Sequence, residues 1–129
     1  MTAEPNQLHP DLLPLYIRLV SDLTAKGYVC RAITTYRSPE AEDALSSSVT
    51  SVTGKTSKHC FTIDGKPASK AFDLGFFDKD GSYVADGSDQ RYTDAGALWL
   101  SYTKIFPALG LVWGGVWHTP HDPDHFQIA

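Results

Sequence analysis

The segment that most restricts the fold is Ala71-Phe72-Asp73-Leu74-Gly75-Phe76-Phe77. Apart from Asp73 it carries no polar side chain, and a short unbroken apolar run reads as a buried strand. A carboxylate inside such a strand is costly unless it is paired or bound to a metal. The other reading of Asp73 is a residue near a strand end whose carboxylate bonds backbone amides. On either reading the chain must supply elements that cover this strand and a partner for its charge.

Those elements can be read around it. Leu12, Leu15 or Tyr16, Leu19 and Leu23 recur at helical spacing. They predict a helix from about Pro10 to Lys26, stopped by Gly27, with Pro14 delaying its start or disturbing its first turn. Tyr28 to Thr35 reads as a strand. Ser38-Pro39-Glu40 opens a second helix ending near Leu45: Ser caps, Pro suits the first helical position, and Glu40 and Glu42 favour the positive end of the dipole. Ser46 to Lys58 is polar and β-branched and reads as a long loop leading into His59. Strands are expected from Cys60 to Phe77, with Asp64-Gly65 as a tight turn between two of them. Asp78 to Gly81 is another turn. A helix over about Thr93 to Phe106 follows, with Leu98, Tyr102, Ile105 and Leu109 on one face and Gly110 after it. Leu111 to Trp113 and His125 to Ile128 read as short strands. The expected fold class is α+β, a small antiparallel sheet with helices packed on one side.

The 129 residues suit one domain, residues 1–129, and an apolar fraction of 42% suffices for a single core. The net charge of −4 comes without any basic stripe, which disfavours nucleic acid and anionic membranes as partners. The sequence has no transmembrane run, and its first residues lack the pattern of a signal peptide. It is therefore expected to be made in the cytoplasm and, if it acts on a cell wall, to need another component for release. Cys30 and Cys60 are too few for a disulfide scaffold and are expected as reduced thiols. Cys60, beside His59, is discounted as a metal ligand because successive residues of a strand point to opposite faces.

A catalytic zinc site needs three ligands of His or carboxylate type and an open position. His59, Asp73 and His125 form the candidate set. The run His118-Thr119-Pro120-His121-Asp122-Pro123-Asp124-His125-Phe126 is dense in possible ligands. His121 and His125 have the i, i+4 spacing of HExxH enzymes, but Pro120 and Pro123 oppose a helix there. His125 as ligand with Asp122 as base is the better assignment. His118 and His121 then become loop residues. Gly114 and Gly115 allow a close backbone approach or an unusual turn. Trp113 and Trp117 either wall a cleft or belong to the core, and Trp113 reads better as core. Tyr36 is undecided in the same way.

These residues resemble a known family. Ser57-Lys58-His59, Ala71-Phe72-Asp73, Trp113-Gly114-Gly115 and Asp122-Pro123-Asp124-His125-Phe126 stand in the order found in zinc peptidases of the bacterial cell wall. That group includes the VanX- and VanY-type D-Ala-D-Ala peptidases and the L-alanyl-D-glutamate endolysin peptidases of phages. Thr34 to Ser38 is similar to the family's Arg-Ser segment. The likeness runs from about Gly27 to Gln127. It implies the DD-peptidase/Hedgehog-like fold and one catalytic zinc on His59, Asp73 and His125. It implies Asp122 as general base and Arg37 as the residue that binds substrate and steadies the oxyanion. Ser57 would orient the substrate or the neighbouring ligand, with Tyr36 and Trp117 as further substrate contacts. The implied partner is the peptidoglycan stem peptide, met by a monomer, with release through a holin as in the phage enzymes. His59 and Asp73 lie 14 positions apart, more than the shortest family spacing, and a hairpin about Asp64-Gly65 accommodates the excess. Glu42 stands where many relatives carry Gln, and is read as a plain helix residue.

The leading functional expectation is an endolysin-like L-alanyl-D-glutamate endopeptidase. The alternatives are a D-Ala-D-Ala carboxypeptidase and, from another class, a zinc-holding wall-binding domain without activity, which the retained Asp122 and Arg37 oppose.

Overall fold

A computed structural model describes residues 3–46, 57–118 and 121–129. Most of the expected loop from Ser46 to Lys58, and Thr119-Pro120, lie outside the described residues. Helix α1 spans Leu13–Ala25 and carries Pro14 in its first turn, where a missing N–H costs nothing. Leu15, Tyr16, Leu19 and Leu23 form its buried stripe. Strand β1 (Val29–Thr34) follows, then helix α2 (Pro39–Ser46), with the Ser38 hydroxyl accepting from the Ala41 N–H at 3.2 Å.

Lys58–Cys60 form one 3-10 turn rather than a strand. A hairpin of β2 (Thr62–Ile63) and β3 (Lys66–Pro67) turns at Asp64-Gly65, both at positive φ (52° and 76°). This is the two-residue turn that Asp-Gly favours. Strand β4 covers Ala71–Phe77, as the apolar run predicts.

Helix α3 is Gln90–Ser101, capped by the Asp89 side chain, and not Thr93 to Phe106. Its buried face is Tyr92, Ala95, Gly96 and Trp99, whereas Ile105 is 51% exposed. Of the expected face, Tyr102 is buried and Leu98 and Leu109 pack partly buried against the core, but Ile105 is not covered, because the chain tightens into a 3-10 turn at Tyr102–Lys104 and the α-helical stripe does not continue. Strands β5 (Val112–Trp113) and β6 (His125–Gln127) complete the sheet.

The main sheet has the order β1-β4-β6-β5, with every pair antiparallel. Period-2 alternation divides β4. Phe72, Leu74 and Phe76 enter the core with Phe126 of β6, packing with α1 and α3 residues that include Trp99. Asp73 points to the other face, directly opposite His125 in register. The fold is therefore α+β, with α1 and α3 on one side of a small antiparallel sheet and the candidate site, flanked by α2, on the other. Among the described residues no helix is long and apolar enough to cross a membrane.

Candidate metal centre

The site assembles on three supports. Asp73 and His125 come from adjacent central strands, and their facing positions set His125 Nδ1 3.3 Å from Asp73 Oδ1. His59 comes from the 3-10 turn, where the Ser57 hydroxyl caps its N–H at 3.3 Å. Its Nε2 lies 3.5 Å from the same Asp73 oxygen. The two imidazoles meet edge to face with centroids 5.1 Å apart. All three ligating atoms fall within 4.8 Å of one another.

Each imidazole is oriented by its outer nitrogen. His59 Nδ1 donates to the Thr35 carbonyl at 2.9 Å, which leaves Nε2 facing Asp73. His125 Nε2 bonds Gln127 Oε1 at 2.8 Å, which leaves Nδ1 facing inward. A second partner that fixes ring and tautomer is characteristic of metal-binding histidines.

The charges are tightly balanced. Burial pushes the Asp73 carboxyl pKa up, but the close approach of the His125 and His59 imidazoles outweighs it and holds it well below the usual range. Burial depresses the His125 pKa, and Asp73 more than reverses this, leaving it raised. Burial, reinforced by Asp122, pushes the Asp124 carboxyl up to about 9. Asp73 Oδ1 is buried and has no hydrogen-bond partner among the described residues. An orphaned anionic oxygen between two imidazole nitrogens suits a cation, not a solvent-excluded carboxylate left alone. Tetrahedral coordination with bonds near 2.05 Å separates ligand atoms by about 3.3 Å, close to the spacing seen here. The residues present therefore fit a divalent metal.

Asp122 stands beside this group, its Oδ2 3.8 Å from His125 Nδ1. Arg37 Nη2 lies 3.7 Å from Asp73 Oδ2, and its Nη1 bonds Glu42 Oε1 at 3.0 Å. The Trp117 ring packs against His125 at 5.0 Å. Beyond Asp122 a cleft of about 400 Å³ opens, lined by Tyr83, Ser88, Tyr92, His121, Asp122 and Asp124 among others.

Of the residues singled out from sequence, His59, Asp73, His125, Asp122, Arg37, Ser57 and Trp117 are brought together. Tyr36 is half-buried between β1 and α2, without a described bond to the group. His121 is exposed and bonds the Gly115 carbonyl, and His118 is exposed. Cys60 is outside the donor group, although the strand argument against it does not apply, because it sits on the 3-10 turn. Trp113 lies against Gly96 and Gly115, and its Nε1 donates to the Pro123 carbonyl at 2.7 Å, tying down the Asp122 turn.

Glu42 is a correction. It is 1% exposed and accepts bonds from Arg37 and from the Ser57 hydroxyl at 2.8 Å, so it is no plain helix residue. Gln127 was also missed, although its position two residues after His125 on a strand places both on one face.

Two imidazoles and a carboxylate with another carboxylate beside them form the kind of arrangement that metal-dependent hydrolases use. Within that class, the chain belongs to the D-alanyl-D-alanine carboxypeptidase family, whose profile matches residues 50–128, and it is a peptidase. Its fold is similar to that of the Serratia marcescens L-Ala D-Glu endopeptidase ChiX, with a TM-score of 0.67 and 18% sequence identity. The match covers 97% of this chain and 83% of that one. No curated protein matches the chain.

Proposed function

We propose that the chain is a zinc peptidase of peptidoglycan stem peptides that cuts between L-alanine and D-glutamate. Zinc would be held by His59, Asp73 and His125. The observation that carries this reading is the buried, unpartnered Asp73 Oδ1 set 3.3 and 3.5 Å from two imidazole nitrogens. When bound there, zinc supplies Lewis acidity and lowers the pKa of water toward neutrality. Asp122, at the rim of the donor group, takes the proton of the attacking water and passes it to the leaving amine. Arg37 places a fixed positive charge where the carbonyl oxygen becomes anionic; such a donor is worth roughly 3 kcal/mol. Ser57 supports His59, and Trp117 walls the site beside His125. Tyr36 would meet the substrate's flank. The reading includes a monomer that reaches the wall after release, by a holin if the chain is of phage origin.

The likeness of fold to an L-Ala D-Glu endopeptidase favours this bond. The second reading, removal of terminal D-alanine, is favoured by the family's description. Zinc-loaded protein incubated with purified sacculi separates them by mass spectrometry. A new amino terminus on D-glutamate is the expected product. Release of D-alanine alone would replace the first reading with the second.

A further inference from the structure

The buried carboxylate of Glu42 has no part in the chemistry above. It lies on α2, is 1% exposed, and accepts from Arg37 Nη1 at 3.0 Å and from the Ser57 hydroxyl at 2.8 Å. Arg37 is thereby shared between two carboxylates: Nη1 is bonded to Glu42, while Nη2 stays 3.7 Å from Asp73 Oδ2. The same network reaches the ligand turn, since Ser57 caps the His59 N–H and the Arg37 N–H donates to the His59 carbonyl at 3.1 Å.

A guanidinium presents a rigid fork that pairs best with a single carboxylate through two parallel bonds. Were Arg37 free to close on Asp73 in that way, it would satisfy the carboxylate that a cation needs. A buried charge left without its partner seeks the nearest opposite charge, because the low-dielectric surroundings offer no water in exchange. Glu42 is the group that prevents this.

We propose that Glu42 is a positioning residue of the metal centre: a buried counter-charge that holds Arg37 off Asp73, so that Asp73 keeps its charge for the divalent cation. This rests on the reading that His59, Asp73 and His125 hold zinc. It differs from a packing role, which would depend on the shape of Glu42 and not on its charge or on Arg37.

The test is zinc affinity, measured by competition with a chromophoric chelator on the full chain, with circular dichroism melts to verify folding. Glu42→Gln keeps the shape and an acceptor for Ser57 but removes the charge. It is expected to weaken zinc binding about tenfold, the low end for loss of a supporting partner. Arg37→Gln in the Glu42→Gln background should return affinity to the wild-type range, because the competing guanidinium is gone. Wild-type affinity in Glu42→Gln, or a double variant as weak as Glu42→Gln, would overturn the proposal. If Glu42→Gln does not fold, Glu42→Asp takes its place: it draws the carboxylate back from Arg37 by one methylene, so zinc binding should weaken and Arg37→Gln in that background should restore it, and wild-type affinity in Glu42→Asp, or no restoration, overturns the proposal. Failure of the wild type to bind zinc, or equal binding by His59→Ala, would remove the underlying metal reading and this inference with it.

Discussion

Gly96→Ala should unsettle the site from the far side of the sheet. A Cβ at position 96 would lie 2.3 Å from Cδ2 and Cε2 of Trp113 and 2.5 Å from Cε3. Carbon atoms pack at about 3.5–4.0 Å, so the indole would have to retreat by more than about 1 Å. Its Nε1 is fixed to the Pro123 carbonyl at 2.7 Å, and the retreat breaks that bond. Overpacking costs roughly 1–3 kcal/mol and the lost bond about 1 kcal/mol, against a gain of about 1 kcal/mol in helix propensity. The net loss is then about 1–3 kcal/mol. With an unfolding entropy near 2.1 cal/mol/K per residue, a chain of 129 residues should melt about 4–11 °C lower. The assay is thermal unfolding of Gly96→Ala in two backgrounds. In Trp113→Ala the clash is absent, so the same substitution should become neutral or stabilising. Equal destabilisation in both backgrounds would refute the packing argument. The Pro123 anchor also predicts that Gly96→Ala loses peptidase activity at temperatures where it is fully folded, because Asp122 leaves its place.

Asp122→Ala should retain zinc, as determined by metal analysis, and lose hydrolysis of sacculi; unchanged turnover would remove Asp122 as the base. Zinc affinity should fall as pH falls, because the raised pKa of His125 reflects a proton on its imidazole, stabilised by the Asp73 carboxylate, that the cation must displace; proton release on binding can be read by calorimetry in buffers of different ionisation enthalpy. Asp124→Asn should stabilise the metal-free protein, increasingly so from pH 4 to pH 9. The folded chain keeps this carboxyl neutral up to about 9, while the unfolded chain gains free energy by ionising it, so the native side chain costs progressively more stability as pH rises through that range. A flat difference between the two melting profiles would count against that neutral state. Tyr102→Phe should cost about 1–2 kcal/mol in denaturant unfolding, since the buried hydroxyl donates to Asp22 Oδ2.

What could be read from the sequence was local in origin. The apolar run marked β4 because its period and composition need no distant partner to be recognised, and Asp64-Gly65 marked the hairpin because few residues adopt positive φ there. Ser38-Pro39 marked α2 because a capping hydroxyl followed by proline at the first helical position is itself a local signal. The donor set was legible because a lone carboxylate in β4 and a late His-rich run are chemically conspicuous. The end of α3 was misplaced, and Ile105 wrongly assigned to its covered face, where a 3-10 turn changed the helical phase. Glu42 was lost because its burial arises only when α2 meets the turn before His59. In a helix read alone, a glutamate in the first turn is accounted for by the dipole.

The facing of Asp73 and His125 across β4 and β6 couples strand alignment to chemistry. Strand side chains alternate, so a pairing slipped by one residue would turn one of these donors toward the helices and bring a phenylalanine in its place. If these residues hold zinc as proposed, misaligned chains would not capture the ion tightly, and correctly aligned chains would be withdrawn from the mixture as they did. A bound cation would thus proofread the pairing of strands joined only at the end of the chain, and the enzyme's yield on refolding should depend on when the ion is supplied.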